Sequence, residues 1–144
     1  MPYSPLLVRP MKEELTDAGF EDLVTPDDVD RFLGEKEGSA LLVVNSVCGC
    51  AAGAARPGVL AAVRSGLRPD RLGTVFAGQD LEATARARQH FAESPPSRPS
   101  MALFRGGELV YFVPRHRIEG RSAEDLAADL QAAFERELRP AGVS

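Results

Sequence analysis

The chain has few cysteines, no long apolar stretch and no excess of positive charge. It contains 2 cysteines in 144 residues, and 17 Lys and Arg against 21 Asp and Glu give a formal net charge of −4. That balance offers no basic surface for nucleic acid or an anionic membrane. The longest nearly apolar run, around residues 40–47, is far too short to cross a bilayer. We therefore expect neither nucleic acid nor a membrane as a partner.

The first residues lack the charged start, long apolar segment and cleavage site of a secretory signal. We expect a cytoplasmic protein, in which an exposed pair of thiols is more often reactive or metal-binding than structural. With 44% hydrophobic and 26% charged residues, the composition is that of an ordinary globular domain. We predict a single domain over residues 1–144, with a core over about 38–138 and an N-terminal helical extension over 5–37.

The two cysteines, Cys48 and Cys50, lie between a predicted buried strand at 40–47 and a predicted helix at 51–65. The start of a helix favours thiolate over thiol. With one residue between them, the sulfurs meet only in a distorted loop, which Gly49 permits. Such a disulfide is easily reduced and stabilises little, because it closes almost no loop. The motif indicates thiol–disulfide exchange; the alternative is two small buried residues in a strand–helix corner.

The remaining pattern predicts two leading helices followed by the order β-α-β-α-β-β-α. The two β-α-β connections predict parallel neighbours with right-handed crossovers, and the last two strands an antiparallel hairpin. This order is that of the thioredoxin fold, so we predict an α/β protein of three layers with a mixed central sheet of about four strands. That fold carries a cis-proline facing the thiols just before its third core strand, and Pro99 occupies this position. The other predicted strands cover residues 72–77, 100–104 and 109–113. Helices are predicted over 10–18, with Pro10 as the first residue, from Pro26, with Thr25 as its cap, and from Ser122. A further helix is predicted over 81–91, capped by Asp80, with the inward positions Leu81, Thr84, Ala85 and Phe91.

Four segments resemble the bacilliredoxin family in the same order along the chain: residues 44–57, which include the thiols, 76–80, 99–103 and 114–120. The resemblance covers roughly residues 5–138. It implies a thioredoxin-like oxidoreductase that removes bacillithiol, a low-molecular-weight thiol, from mixed disulfides on oxidised proteins. By this analogy Cys48 attacks and Cys50 resolves, with a thiol as reductant. The family is also linked to disulfide isomerase or reductase activity, which stays an alternative.

Two arginines, Arg56 after the cysteines and Arg98 before Pro99, are candidates to meet the carboxylates of bacillithiol, because a guanidinium matches a carboxylate fork. Solvated surface arginine is the alternative for both. A cis Pro99 would keep metal from the thiols and present a backbone edge to a substrate. Pro57, inside the predicted cysteine helix, predicts a bend there.

Two other classes of function stay open. A Cys-x-Cys pair with His90 or His116 could hold zinc or copper(I), but the histidines have no short ligand spacing, so we predict no metal. A thioredoxin-like module that only reports redox state is the other class. We find no nucleotide, flavin or haem signature and predict no bound cofactor, with bacillithiol entering only as substrate or reductant. The predicted hairpin leaves an exposed sheet edge, which leaves a homodimer open.

Overall fold

Five strands form one mixed sheet in the computed structural model, which describes residues 3–92 and 97–138. Their order across the sheet is β1-β3-β2-β4-β5. The central strand β2 is buried at every position, as its continuous apolar sequence predicts. The strands are β1 (Glu21–Asp22), β2 (Ser39–Asn45), β3 (Arg71–Phe76), β4 (Ser100–Arg105) and β5 (Glu108–Val113).

Helices cover both faces of this sheet. Because side chains alternate along a strand, Leu41 and Val43 of β2 join one apolar cluster while Leu42 and Val44 join another. The first cluster packs under α3 and α5, and the second under α2 and α4. The predicted three-layer α/β architecture is therefore confirmed. The helices are α1 (Pro5–Thr16), α2 (Pro26–Gly34), α3 (Arg56–Arg64), α4 (Leu81–Gln89) and α5 (Ala123–Leu138), with a π-helical turn over Ala51–Ala55 and a 3-10 turn over Arg115–Arg117.

The direction of β4 differs from the prediction. β3 is parallel to β2, as expected, but β4 pairs antiparallel with β2, and β5 pairs antiparallel with β4. The prediction of a second parallel connection is wrong because the pattern of side chains along a strand does not encode its direction. The antiparallel pairing matters for the site, since Ser100, the first residue of β4, pairs with Val44 near the end of β2. Pro99 thus lies at the edge of the sheet from which the cysteine turn leaves.

The first helix begins earlier than predicted, and the N-terminal extension also adds a strand to the sheet. Helix α1 starts at Pro5 rather than Pro10, and Ser4 Oγ accepts a hydrogen bond from the Leu6 amide over 3.3 Å. Pro10 lies inside the helix, where burial of Val8 and Leu15 offsets the hydrogen bond that proline cannot make. The short strand β1 was not predicted, because two acidic residues carry no strand pattern. It forms because its backbone pairs with β3, which makes five strands rather than four.

A partly buried lysine attaches this extension to the core. Lys12 Nζ lies 2.8 Å from Asp80 Oδ2 and 3.2 Å from Asp22 Oδ2. Burial lowers the pKa of Lys12, but the hydrogen bond and charge of Asp80, with those of Asp22, outweigh it and raise the pKa. Asp80 precedes α4 as predicted, but its side chain makes no capping hydrogen bond. Its carboxylate is used by Lys12 instead.

The other predicted helix starts are confirmed. Thr25 Oγ1 accepts from the Asp28 amide over 3.1 Å, and Asp28 Oδ2 accepts from the Thr25 amide over 3.1 Å. Ser122 Oγ accepts from the Asp125 amide over 3.0 Å. Thr84 of α4 and Phe91, just past the end of α4, are buried as expected. Leu81 and Ala85 are exposed, because the helix turns Ala83 and Ala87 to the apolar cluster instead. No helix in the described ranges combines the length and the apolarity that a bilayer crossing requires.

Candidate active site

The two thiols lie together in the turn that follows β2. Cys48 Sγ and Cys50 Sγ are 2.8 Å apart, both cysteines are free, and both are half-buried. Exposure therefore does not distinguish an attacking from a resolving thiol. Gly49 is exposed, has no positive φ, and a Cβ built on it meets nothing within 4 Å. The turn with both thiols free does not itself require glycine at this position.

The helix after the thiols opens with a wide turn. Residues Ala51–Ala55 are π-helical, and the Arg56 amide donates to Ala51 O. The disturbance predicted at Pro57 takes this form because proline has no N–H and its ring opposes the carbonyl of Gly53, four residues earlier. The Ala51 and Ala52 amides both donate to Cys48 O, over 3.1 and 3.3 Å. The main chain at Cys48 is thereby held by the first turn of the helix.

Hydrogen bonds make Cys48 the more acidic thiol of the pair. Burial raises the pKa of Cys48, but hydrogen bonds from the Cys50 thiol, the Ser46 hydroxyl and the amides of residues 51 and 50 outweigh burial, so the pKa lies below its ordinary value. Ser46 Oγ lies 3.2 Å from Cys48 Sγ. The first proton to leave the pair therefore comes from Cys48.

The second thiol has the opposite tendency. Burial, the hydrogen bond with Cys48 and the charge of Cys48 all raise the pKa of Cys50, and the positive charge of Arg115 partly offsets this rise. Once Cys48 is ionised, Cys50 is the thiol of the pair that still has a proton to donate between the sulfurs. The pair thus has one sulfur suited to attack and one that keeps its proton until the first has reacted.

Sequence reasoning missed Arg115, which lies in the turn after β5. Its backbone N–H donates to Ser97 Oγ over 3.2 Å, and its guanidinium forms an ion pair with Glu119. The hydrogen bond to Glu119 and then the charge of Cys50 raise the pKa of Arg115. Its charge therefore acts on the thiols although it is distant from them in sequence. The one available signal was its place in segment 114–120, which carries part of the family resemblance.

Arg56 points into the protein and not toward a substrate. It is 2% exposed, and its Nη1 donates to Asn45 Oδ1 over 3.0 Å and to Ser46 O over 2.9 Å. Its Nε lies 3.0 Å from Glu14 Oε2, in ionic contact but without the alignment of a hydrogen bond. The expectation that Arg56 meets a carboxylate of bacillithiol is replaced by a structural role, since the side chain is buried and its Nη1 is held by Asn45 and Ser46.

The other two candidate residues lie beside β4. The Arg98–Pro99 peptide bond is cis, as predicted, and Pro99 is buried. Arg98 is exposed. Burial, and then the charge of Arg98, lower the pKa of the neighbouring Arg88. Arg98 thus keeps a guanidinium available to solvent, unlike Arg56.

Among the described residues, neither histidine is hydrogen-bonded to Cys48 or Cys50. His90 Nε2 is 3.3 Å from Asp30 Oδ1, and His116 is exposed. Across residues 3–92 and 97–138, no three or more His, Cys, Asp or Glu side chains are placed to share a metal ion.

Comparisons with known proteins identify the family and the fold of this chain. The family model described as disulphide isomerase matches residues 3–137. A bacilliredoxin of Geobacillus kaustophilus is 53% identical over 135 residues, covering 93% of each chain, and one of Halalkalibacterium halodurans is 51% identical over 132 residues, covering 92% of each. Thioredoxin O2 from Arabidopsis thaliana, solved in its oxidised state, superposes with a TM-score of 0.58 over 85% of this chain and 97% of its own, at 15% identity. The structural likeness shows the thioredoxin fold. The family model and the matched relatives show that this chain is a thiol–disulfide oxidoreductase that belongs to the bacilliredoxin family.

Proposed function

We propose that this chain removes bacillithiol from mixed disulfides on oxidised proteins, with Cys48 as the attacking and Cys50 as the resolving cysteine. The observation that carries the proposal is the thiol pair: the sulfurs are 2.8 Å apart, and the pKa of Cys48 is lowered while that of Cys50 is raised. A nucleophile must be ionised before its partner, and the partner must be close enough to displace what the nucleophile captures. Both conditions are met in one turn.

In the first step, the Cys48 thiolate attacks the bacillithiol sulfur of the mixed disulfide. The disulfide between bacillithiol and the target protein breaks, and the target leaves as a thiolate that takes a proton from water. A new disulfide joins bacillithiol to Cys48. The exposed guanidinium of Arg98 is our candidate to meet a bacillithiol carboxylate, and Pro99 to offer its backbone edge to the substrate.

In the second step, a thiol clears the adduct from Cys48. In one route Cys50 loses its proton, attacks the Cys48 sulfur and releases bacillithiol as a thiolate, leaving a Cys48–Cys50 disulfide for an external thiol to reduce. In the other route, the thiolate of free bacillithiol attacks the bacillithiol sulfur of the adduct, bacillithiol disulfide forms, and Cys48 leaves as a thiolate. The positive charge of Arg115, which lowers the pKa of Cys50, favours the first route. The partners are thus bacillithiolated proteins and a thiol reductant.

A second candidate is general disulfide isomerase or reductase activity. The description of the matched family, disulphide isomerase, favours it. The first step would be the same attack by Cys48, directed at a protein disulfide rather than at bacillithiol. The two candidates therefore differ in substrate and share the site.

The decisive experiment follows adduct mass on both proteins after the reduced chain is mixed with a bacillithiolated protein. We expect the adduct to leave the target and to appear on Cys48. Cys50→Ser should make the first transfer and accumulate the adduct, whereas Cys48→Ser should do neither. A Cys48→Ser variant as active as the unaltered protein would overturn the assignment. Repair of a scrambled disulfide protein without any transfer from the bacillithiolated one would establish the second candidate.

A further inference from the structure

We propose that Ser46 is a catalytic residue of the exchange reaction, whose hydroxyl stabilises the Cys48 sulfur while that sulfur is charged. Its Oγ lies 3.2 Å from Cys48 Sγ, so it touches a reacting atom. Ser46 is only 3% exposed, which prevents water from taking over this contact. The inference rests on the attack by Cys48 proposed above, and adds the group that supports its charge.

A second contact leaves the hydroxyl proton free to meet the sulfur. The Cys48 backbone N–H donates to Ser46 Oγ over 3.3 Å, so one acceptor position of the hydroxyl is taken. A hydroxyl has a single proton, and here the sulfur is the acceptor within its reach. A thiolate accepts such a bond far better than a neutral thiol does, so the contact strengthens as Cys48 ionises. An interaction that grows with the charge favours the charged form.

The backbone of Ser46 is fixed on both sides. Its N–H donates to Asn45 Oδ1 over 2.9 Å, and its carbonyl accepts from Arg56 Nη1 over 2.9 Å. Asn45 and Arg56 are 1% and 2% exposed. The hydroxyl therefore needs no rearrangement to meet the developing charge, which is the property that makes a polar group useful in catalysis. Arg56 and Asn45 are positioning residues, since they act on sulfur only through Ser46.

The same contact serves in the return half of the cycle. When an external thiolate attacks Cys50 of a Cys48–Cys50 disulfide, a bond forms between the reductant sulfur and Cys50. The bond between the two cysteines breaks, and its electron pair stays on Cys48, which leaves as a thiolate. A second reductant thiolate then displaces Cys50, which takes a proton, and leaves as the oxidised dimer of the reductant. A leaving sulfur departs faster when its charge is stabilised, so Ser46 assists here as well.

Loss of the hydroxyl predicts two opposing changes. A hydrogen bond to a charged group is worth about a factor of ten or more in an equilibrium, so Ser46→Ala should lower the thiolate fraction of Cys48 about tenfold in acid. The remaining thiolate is more basic and attacks about threefold faster, because nucleophilicity follows basicity with a coefficient of about 0.4–0.5. Ser46→Ala should therefore react about threefold more slowly than the unaltered protein in acid and about threefold faster in alkali. The two pH–rate curves must cross.

The test measures the rate of reaction with 2,2′-dithiodipyridine between about pH 5 and 10, followed by the released thiopyridone and mapped to Cys48 by mass. Ser39→Ala is the matched control, because Ser39 is 5% exposed, lies at the other end of β2 and bonds Asp70 rather than a thiol. It should not shift the curve along the pH axis. If Ser46→Ala does not fold, Ser46→Thr and Ser46→Val replace it, because the two side chains have nearly equal volume and differ in the hydroxyl. Only the pH–rate curve of the valine variant should then cross that of the unaltered protein.

Two outcomes would overturn the inference: coincident curves, or a rate lowered by the same factor at every pH, as a merely structural role predicts. The probe is an uncharged disulfide that contains no bacillithiol. Failure of the crossing thus leaves the substrate assignment standing, and failure of bacillithiol transfer leaves the crossing measurable.

Discussion

Replacing Arg56 by methionine tests whether the buried guanidinium, rather than its ion pair, holds the cysteine turn. Arg56 donates to Asn45 Oδ1 and to Ser46 O, both inside the protein. Its other partner, Glu14, has a side chain that is 44% exposed. Removing Arg56 takes the guanidinium from the buried Ser46 carbonyl oxygen and takes one of two donors from Asn45 Oδ1, which keeps the Ser46 amide. Neutralising Glu14 changes a group that still reaches water.

The expected magnitudes follow from that difference. Two hydrogen bonds from a charged donor contribute about 3–6 kcal/mol together. Methionine offsets part of this loss of stability, because its side chain fills much of the space of arginine and carries no charge that must be buried. We expect Arg56→Met to lower the free energy of unfolding by about 2–4 kcal/mol. Glu14→Gln should lower it by about 1 kcal/mol or less, as for other ion pairs open to solvent.

Urea unfolding of both variants measures these changes, with the slope m checked for constancy so that the midpoint reports stability alone. A result within about 0.5 kcal/mol of the unaltered protein for Arg56→Met would refute the reasoning, since changes of that size are typical of surface sites. Equal losses for Arg56→Met and Glu14→Gln would refute it in another way. They would mean that the ion pair, and not the two carbonyl contacts, carries the stability.

Two further predictions concern the thiols. Cys50→Ala removes the largest of the interactions that lower the pKa of Cys48, so the midpoint of the dithiodipyridine pH–rate curve should move to higher pH. An unmoved or lower midpoint would contradict a hydrogen bond from Cys50 to the Cys48 thiolate. Arg115→Gln removes the charge that lowers the pKa of Cys50, so clearance of a preformed Cys48 adduct, followed by mass, should slow about twofold at low salt. Because Arg115 is exposed, added salt should erase that difference, and equal salt sensitivity in both proteins would count against the charge effect.

The thiol pair and its place in the fold could be predicted because their signals are local. A continuous apolar run, two cysteines one residue apart and a following run of small residues are contiguous, and together they define a strand, a turn and a helix. The cis state of Pro99 was accessible only through the topology, since proline in isolation favours trans. The hairpin and the caps at Thr25 and Ser122 were equally local.

The rest depends on contacts between distant segments. The residues around Arg56 are mostly alanine and glycine, so no apolar stripe indicates which way its side chain points. Arg115 reaches the thiols only because β5 ends near them, and β1 exists only because β3 offers it a pairing edge. The direction of β4 is likewise a property of the assembled sheet. These features are set by the tertiary arrangement, so they cannot be predicted from the local sequence.

The attachment of α1 to the turn has a consequence for anyone wishing to shorten this protein. The main-chain oxygen of Met11 accepts from Asn45 Nδ2 over 3.2 Å, and the carboxylate of Glu14 faces Arg56. A truncated chain starting near residue 38 would keep both sulfurs and four of the five strands. It would also uncover Asn45 and Arg56, whose hydrogen bonds hold the backbone of Ser46 before the thiols. The leading helix therefore supports the residues that position the cysteine turn, and minimal versions of the domain should be designed around it rather than without it.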